Sequence, residues 1–229
     1  MKLPAFTVPV RSLLPPAFST PTSHRVLVLV LGAILTTGRR TITHSCRTVR
    51  PHAQRHVPSS ERVCSPRRWS PGELARRWLT VLLTYRVPMG PVLLAGDETV
   101  AERPGPHVFG QGRHRDGVRS PQSATADRWG PTWVVWSVLV QGPLALRPWA
   151  LPVVAAWSRA PAWAQAHGRR HKTPAHLARR LLARVVRWFP ERPCLCVGDT
   201  GDGTRATARF CHRDGRHLTS VRKDAGDAA

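Results

Sequence analysis

"GPVLLAGDETV", residues 90–100, decides how this sequence is read. Turn residues precede an apolar run of strand character, and that run stops at Gly96-Asp97, so the spacing predicts a buried strand with an aspartate at its end. Only 13 of the 229 residues are acidic, so a carboxylate placed there needs a reason. Asp is a common turn residue after a strand. It is also a hard oxygen ligand for a divalent cation. The same grammar returns in "LCVGDTG", residues 195–201, where Gly198-Asp199 closes another apolar run. The two aspartates stand 102 positions apart (199 − 97), so they meet only if the fold sets their strands side by side. Carboxylates at neighbouring strand ends hold the ions that polarise a phosphodiester and lower the pKa of an attacking water or hydroxyl.

Working outward, "WVVWSVLVQG" (133–142) and "WALPVVAAW" (149–157) are apolar strand candidates, and "RHLTSV" (216–221) starts a further one. "TPAHLARRLLARVVRWFP" (173–190) is the clearest helix. Thr173 caps it and Pro174 opens it; Leu177, Leu181, Val185 and Trp188 line one face, Arg180, Arg184 and Arg187 the other, and Pro190 follows. "RAPAWAQAHGRRHK" before it reads as a polar, flexible link, and "TRATARFCHRDG" as a helix ended by Gly215. Strands, helix, strand, helix, strand is a mixed α/β order.

Residues 1–90 read instead as a helical, basic region with possible DNA-binding character. "TPTSHRVLVLVLGAIL" (20–35) and, after a Gly turn, "TITHSCRTVR" suggest a helix pair that matches a helix-turn-helix in outline only. "SPGELARRWLTVLLTY" (70–85) has a capping box from Ser70 and Glu73, Pro71 at its first position and a Leu74, Trp78, Leu82, Tyr85 stripe. The apolar run from Val26 is too short to span a bilayer and lacks a convincing cleavage site, which points to a cytoplasmic protein without a membrane partner.

The formal charge is +22, from 35 Lys and Arg against 13 Asp and Glu. A chain that basic calls for a polyanionic partner, most often nucleic acid. The bias towards Arg over Lys also arises passively from GC-rich coding DNA. In "GQGRHRDGVRS" (110–120), Arg113, His114, Arg115 and Arg119 crowd a turn and form either a phosphate clamp or an exposed basic loop. Cys194 and Cys196 alternate on one side of a strand; buried thiols are the ordinary explanation, and a zinc site with Cys211 and His212 the alternative. "GDTGDGT" (198–204) is glycine-rich but has no Lys-Ser/Thr ending and carries two acids that repel phosphate. "DRWGPTW" (127–133) offers rings for base stacking.

Eight blocks in order, "LLPPAFSTPTSHRVLVLVLGAILTTGRRTIT", "RRWS", "GPVLLAGDETV", "HVFGQGRHRDGVRS", "RWGPTWVVWSVLV", "RPWALPVV", "HGRRHKTPAHLARRLLARVVRWFP" and "VGDTGDGT", resemble bacterial insertion-sequence transposases of the DDE superfamily. The resemblance covers most of residues 12–219. It implies a ribonuclease-H-like mixed sheet with flanking helices over 91–221, following the helical region and followed by a disordered tail over 222–229. It further implies an aspartate, aspartate, glutamate triad that uses two Mg²⁺ ions, or Mn²⁺, to cut and rejoin transposon ends. By position Asp97 matches the first catalytic aspartate and Asp199 the second, both as metal ligands. Arg169, Arg170 and Lys172 lie in a matching basic block and are read, with the 113–119 cluster, as DNA contacts. The family's Glu stands beyond the point this chain reaches, and none of Asp202, Asp214, Asp224 and Asp227 has its helical context. The sequence therefore predicts a truncated catalytic domain and an inactive transposase. A DNA-binding remnant that occupies transposon ends, with a second copy or an intact transposase as partner, is one alternative; an unstable product is another.

Overall fold

The computed structural model describes residues 17–50, 60–64, 69–101, 108–110, 112–115, 127–142, 146–198, 209–210 and 217–220. The chain forms two compact units, Met1–Val81 and Leu82–Ala229.

In the first unit, helix α1 (Thr20–Leu35) begins with Pro21 in its first turn, and Ser19 and Thr22 share a hydroxyl hydrogen bond of 3.0 Å. Helix α2 (Ile42–Thr48) is capped by Thr41, whose hydroxyl accepts from the His44 amide at 3.2 Å. The two helices approach closely at Gly32, where a Cβ would overlap the Ser45 carbonyl. Phe18 and Leu27 anchor a small core against Trp69, the Phe18 and Trp69 rings lying 5.1 Å apart.

Helix α3 (Pro71–Arg86) starts as its sequence predicts, the Ser70 hydroxyl accepting from the Glu73 amide at 3.2 Å. The Glu73 carboxylate, however, pairs with Arg77 at 2.8 Å, so the capping box is half made. Its buried stripe also differs from the prediction. Leu79, Leu82 and Leu83 are buried while Tyr85 is 66% exposed, because the apolar positions track the side facing the core rather than a strict every-fourth-residue row.

In the second unit a mixed five-stranded sheet runs β5-β4-β1-β6-β7. The strands are β1 (Val92–Val100), β4 (Thr132–Gln141), β5 (Pro148–Ser158), β6 (Cys194–Gly198) and β7 (His217–Ser220), and a separate hairpin pairs β2 (Gly112–Arg115) with β3 (Asp127–Gly130). β1, β4 and β5 are antiparallel neighbours, whereas β6 and β7 join β1 in parallel. This is the mixed α/β, ribonuclease-H-like arrangement the sequence predicts. Pro148 and Pro152 fall on β5, at the sheet's edge, where a missing amide donor is tolerated, and the ladder shifts register between Trp136 and Ser137 opposite Pro152.

Helix α5 (Pro174–Trp188) packs on β4 and β5. Thr173 caps it at 3.3 Å from the His176 amide, and Ala178, Leu181, Leu182, Val185 and Val186 are its buried face. Opposite them, alternate residues of the sheet are sealed: Leu94, Val134, Trp136, Val138 and Cys196 are each at most 1% exposed. Cys194 and Cys196 lie on this buried side, as small apolar residues of a strand do; Cys211 and His212 lie outside the described residues. The segment predicted to be a flexible link instead contains helix α4 (Pro161–Ala166), in which Pro161 presets the first turn and Ala164 is buried. Of the helix predicted over 204–215, only 209–210 are described, and they are helical.

Candidate functional site

Asp97 projects from the middle of β1. The strand was expected to end at Gly96-Asp97, but it continues to Val100, because β4 extends the antiparallel ladder from Asp97↔Val135 to Val100↔Thr132. The parallel ladder is described as far as Gly96: β6 pairs Leu93↔Leu195, Leu94↔Cys196, Ala95↔Val197 and Gly96↔Gly198. The Gly of each Gly-Asp step is thus the Cα partner of the other. Asp199 itself lies outside the described residues.

Glycine at 96 is a packing requirement. A Cβ there would stand 3.0–3.1 Å from three carbons of the Trp136 ring, and Trp136 is fixed by an indole N–H donated to the Ala178 carbonyl of α5 at 2.9 Å. The ring therefore has no room to give.

Strand alternation sends Leu94 and Gly96 to the α5 side and Asp97 to the other. There Asp97 is exposed, and its Oδ2 accepts a hydrogen bond of 3.2 Å from the Thr99 hydroxyl. One carboxylate oxygen is thereby oriented. Glu98, next in sequence, points to the opposite face and cannot share a ligand with Asp97. A carboxylate suits a hard divalent cation. Among the described residues, though, no three His, Cys, Asp or Glu side chains gather into a metal cluster. A cation held at Asp97 would need further ligands from elsewhere.

Thr99 carried a signal that sequence reading passed over, since residue i+2 of a strand shares the face of residue i. Arg192 carried none. Its guanidinium donates to the carbonyls of Val87 at 2.9 Å and Gly90 at 2.8 Å, with a longer contact of 3.5 Å to Pro88. Beside it the Val92 amide donates to the Pro193 carbonyl at 2.8 Å. Together these tie the entry of β1 to the entry of β6, and so fix the register that aligns the two glycines.

The residues read as DNA contacts fall on two segments that are described only in part. Gly112–Arg115 form strand β2 rather than a turn, because Gly112 to Arg115 pair with Gly130 to Asp127. The side chains of Arg113, His114 and Arg115, like Arg119 as a whole, lie outside the described residues. Arg169, Arg170 and Lys172 are exposed on the loop between α4 and α5. His176, in the first turn of α5, registers their field. Its pKa lies below the ordinary 6.5 through desolvation and then through the like charges of Arg179, Arg180, Lys172 and Arg170. Of the rings read for base stacking, Trp129 is 50% exposed, while Trp133 packs against Trp157 at 5.1 Å.

Residues 13–223 match the family model described as DDE superfamily endonuclease. No curated protein matches the chain. No helix among the described residues is long and apolar enough to cross a membrane.

Proposed function

The chain belongs to the DDE superfamily endonucleases, and from that membership we propose that it derives from a bacterial insertion-sequence transposase whose metal site is built on Asp97 and Asp199. The family acts on DNA with divalent metal. The observation that supports the pair is the Gly96↔Gly198 register. Were that pairing to run on by one residue, Asp199 would stand beside Asp97, about 5 Å away across one strand spacing and on the same face. A bound divalent ion would supply Lewis acidity, polarising a phosphodiester oxygen and easing loss of a proton from the attacking hydroxyl. The protein's own part is to hold the carboxylates: Thr99 orients Asp97, and Arg192 keeps the two strands in register. Arg169, Arg170 and Lys172, with Arg113, His114, Arg115 and Arg119, serve in this reading as phosphate contacts that position DNA without reading its sequence.

Two carboxylates bind an ion, but an in-line displacement needs further oxygen ligands to hold an ion pair. The proposal therefore includes metal binding with strand transfer lost. Incubation of purified protein with transposon-end DNA and Mn²⁺, beside an Asp97→Asn variant, tests it. The expected result is no cleavage by either protein; cleavage abolished in the variant would establish Asp97 as catalytic and overturn the inactivity.

A further inference from the structure

A group of aromatic side chains gathers where β5 runs into α4. The Phe109 ring meets Trp163 at a centroid distance of 4.5 Å and Trp157 edge-on at 5.8 Å. Arg159 carries its guanidinium over both rings, 5.4 Å from the centre of Phe109 and 5.5 Å from that of the half-buried Trp163, and His167 stacks on Trp163 at 4.0 Å. Gly110, at φ 71°, lets the chain turn there, and its carbonyl accepts from the Ala160 amide at 3.0 Å. Phe109 is thus held against the corner by backbone geometry, yet it remains 53% exposed. A ring that is fixed and still open is a surface for another flat ring.

The charge around it says what kind of ring. From Arg128 to Pro190 the sequence contains no acidic residue. The loop that bears Arg169, Arg170 and Lys172 is pinned to the same corner, because the Arg169 amide donates to the Ala164 carbonyl at 2.8 Å and the Ser158 hydroxyl to the Lys172 carbonyl at 3.4 Å. An apolar platform with cations beside it among the described residues suits a π-system attached to phosphates.

Its position connects it to Asp97. Thr99, which holds Asp97, faces Trp133 across the ladder, and Trp133 in turn faces Trp157 with its ring 5.1 Å away. Two strand spacings, about 10 Å, therefore separate the aspartate's strand from the platform's, on one face of the sheet. We infer that Phe109, Trp163 and Arg159 form a stacking platform for an unpaired base of the DNA strand presented to Asp97. This rests on the proposed action on DNA and adds to it a preference for frayed or extended ends.

The test uses the full chain, without added metal, and fluorescence anisotropy on two probes: a blunt duplex and the same duplex with a short single-stranded extension. Phe109→Ala should weaken binding of the extended probe roughly five- to hundred-fold, the worth of one base–aromatic stack, and leave the blunt probe unchanged. Phe109→Tyr should restore the preference, and Arg159→Ala should weaken the extended probe as well. Equal losses on both probes, or none on the extended one, would overturn the platform. A second reading on the unaltered protein covers a variant that folds poorly: 2-aminopurine in the extension should be quenched on binding, and unchanged emission overturns the idea. A retained preference for the extension beside absent metal binding would sink the metal-site proposal alone, whereas metal binding without that preference would sink only the platform.

Discussion

The central sheet has two unlike faces. Towards α5, Leu94, Val134, Trp136 and Val138 are sealed, and even the Gly96 position is filled by its neighbour's ring. On the other face Leu93, Asp97 and Thr99 are exposed, and among the described residues the Asp97 carboxylate accepts from its neighbour's hydroxyl. One residue of strand separates them, yet one face is packed for stability and the other is the one on which the proposed metal site lies. The difference teaches that substitutions at 96 and 97, though adjacent, act on unrelated properties.

The largest effect belongs to the sealed face. Trp136→Ala should cost about 3–5 kcal/mol in denaturant unfolding, from lost burial, an unfilled cavity and the indole hydrogen bond to α5. Gly96→Ala should cost about 1–3 kcal/mol, because the added methyl meets a ring that cannot retreat. A neutral Gly96→Ala would show that the ring can move and would erase the contrast between the faces.

A third variant probes the strap that sets the register. Arg192→Ala should lower stability by about 1–2 kcal/mol, and Arg192→Lys should recover little of it, since a single ammonium cannot serve carbonyls spread over a planar fork. Full recovery with Lys would reduce the strap to a simple charge effect.

The smallest effect concerns pH. His176 has a depressed pKa in the folded protein, so the unfolded chain binds more protons around its ordinary 6.5. Stability is accordingly full above that value and declines as pH falls through it towards the folded pKa. The decline is slight, because the imidazole is exposed. His176→Gln should flatten this part of the pH profile, and an unchanged slope would mean that neither desolvation nor the neighbouring cations depress its pKa.

Much of this was legible because it is local. The caps at Thr173 and Ser70 and the apolar runs of β4 and β5 needed only neighbouring residues. The flexible link was misread because α4 is short, and its one buried residue, Ala164, gives no periodic signal. The end of β1 was misjudged for a different reason. Gly-Asp is turn grammar, but a strand continues as long as a partner pairs with it, and β4 carries β1 on to Val100. Arg192 could not be foreseen at all, since it acts on carbonyls more than 100 residues away. The alignment of the two Gly-Asp steps was legible as repeated grammar, whereas the register that pairs them belongs to the tertiary fold.

The central claim is that Asp97 and its counterpart after Gly198 form one metal site on the open face. Calorimetric titration with Mn²⁺ of the unaltered protein, Asp97→Asn and Asp199→Asn tests it most directly, with thermal melts alongside. Binding by the unaltered protein that is lost in either variant, while stability stays within about 0.5 kcal/mol, is the predicted result. Binding that survives one of the two substitutions would contradict a shared site, and a large loss of stability in Asp97→Asn would contradict the division between the faces.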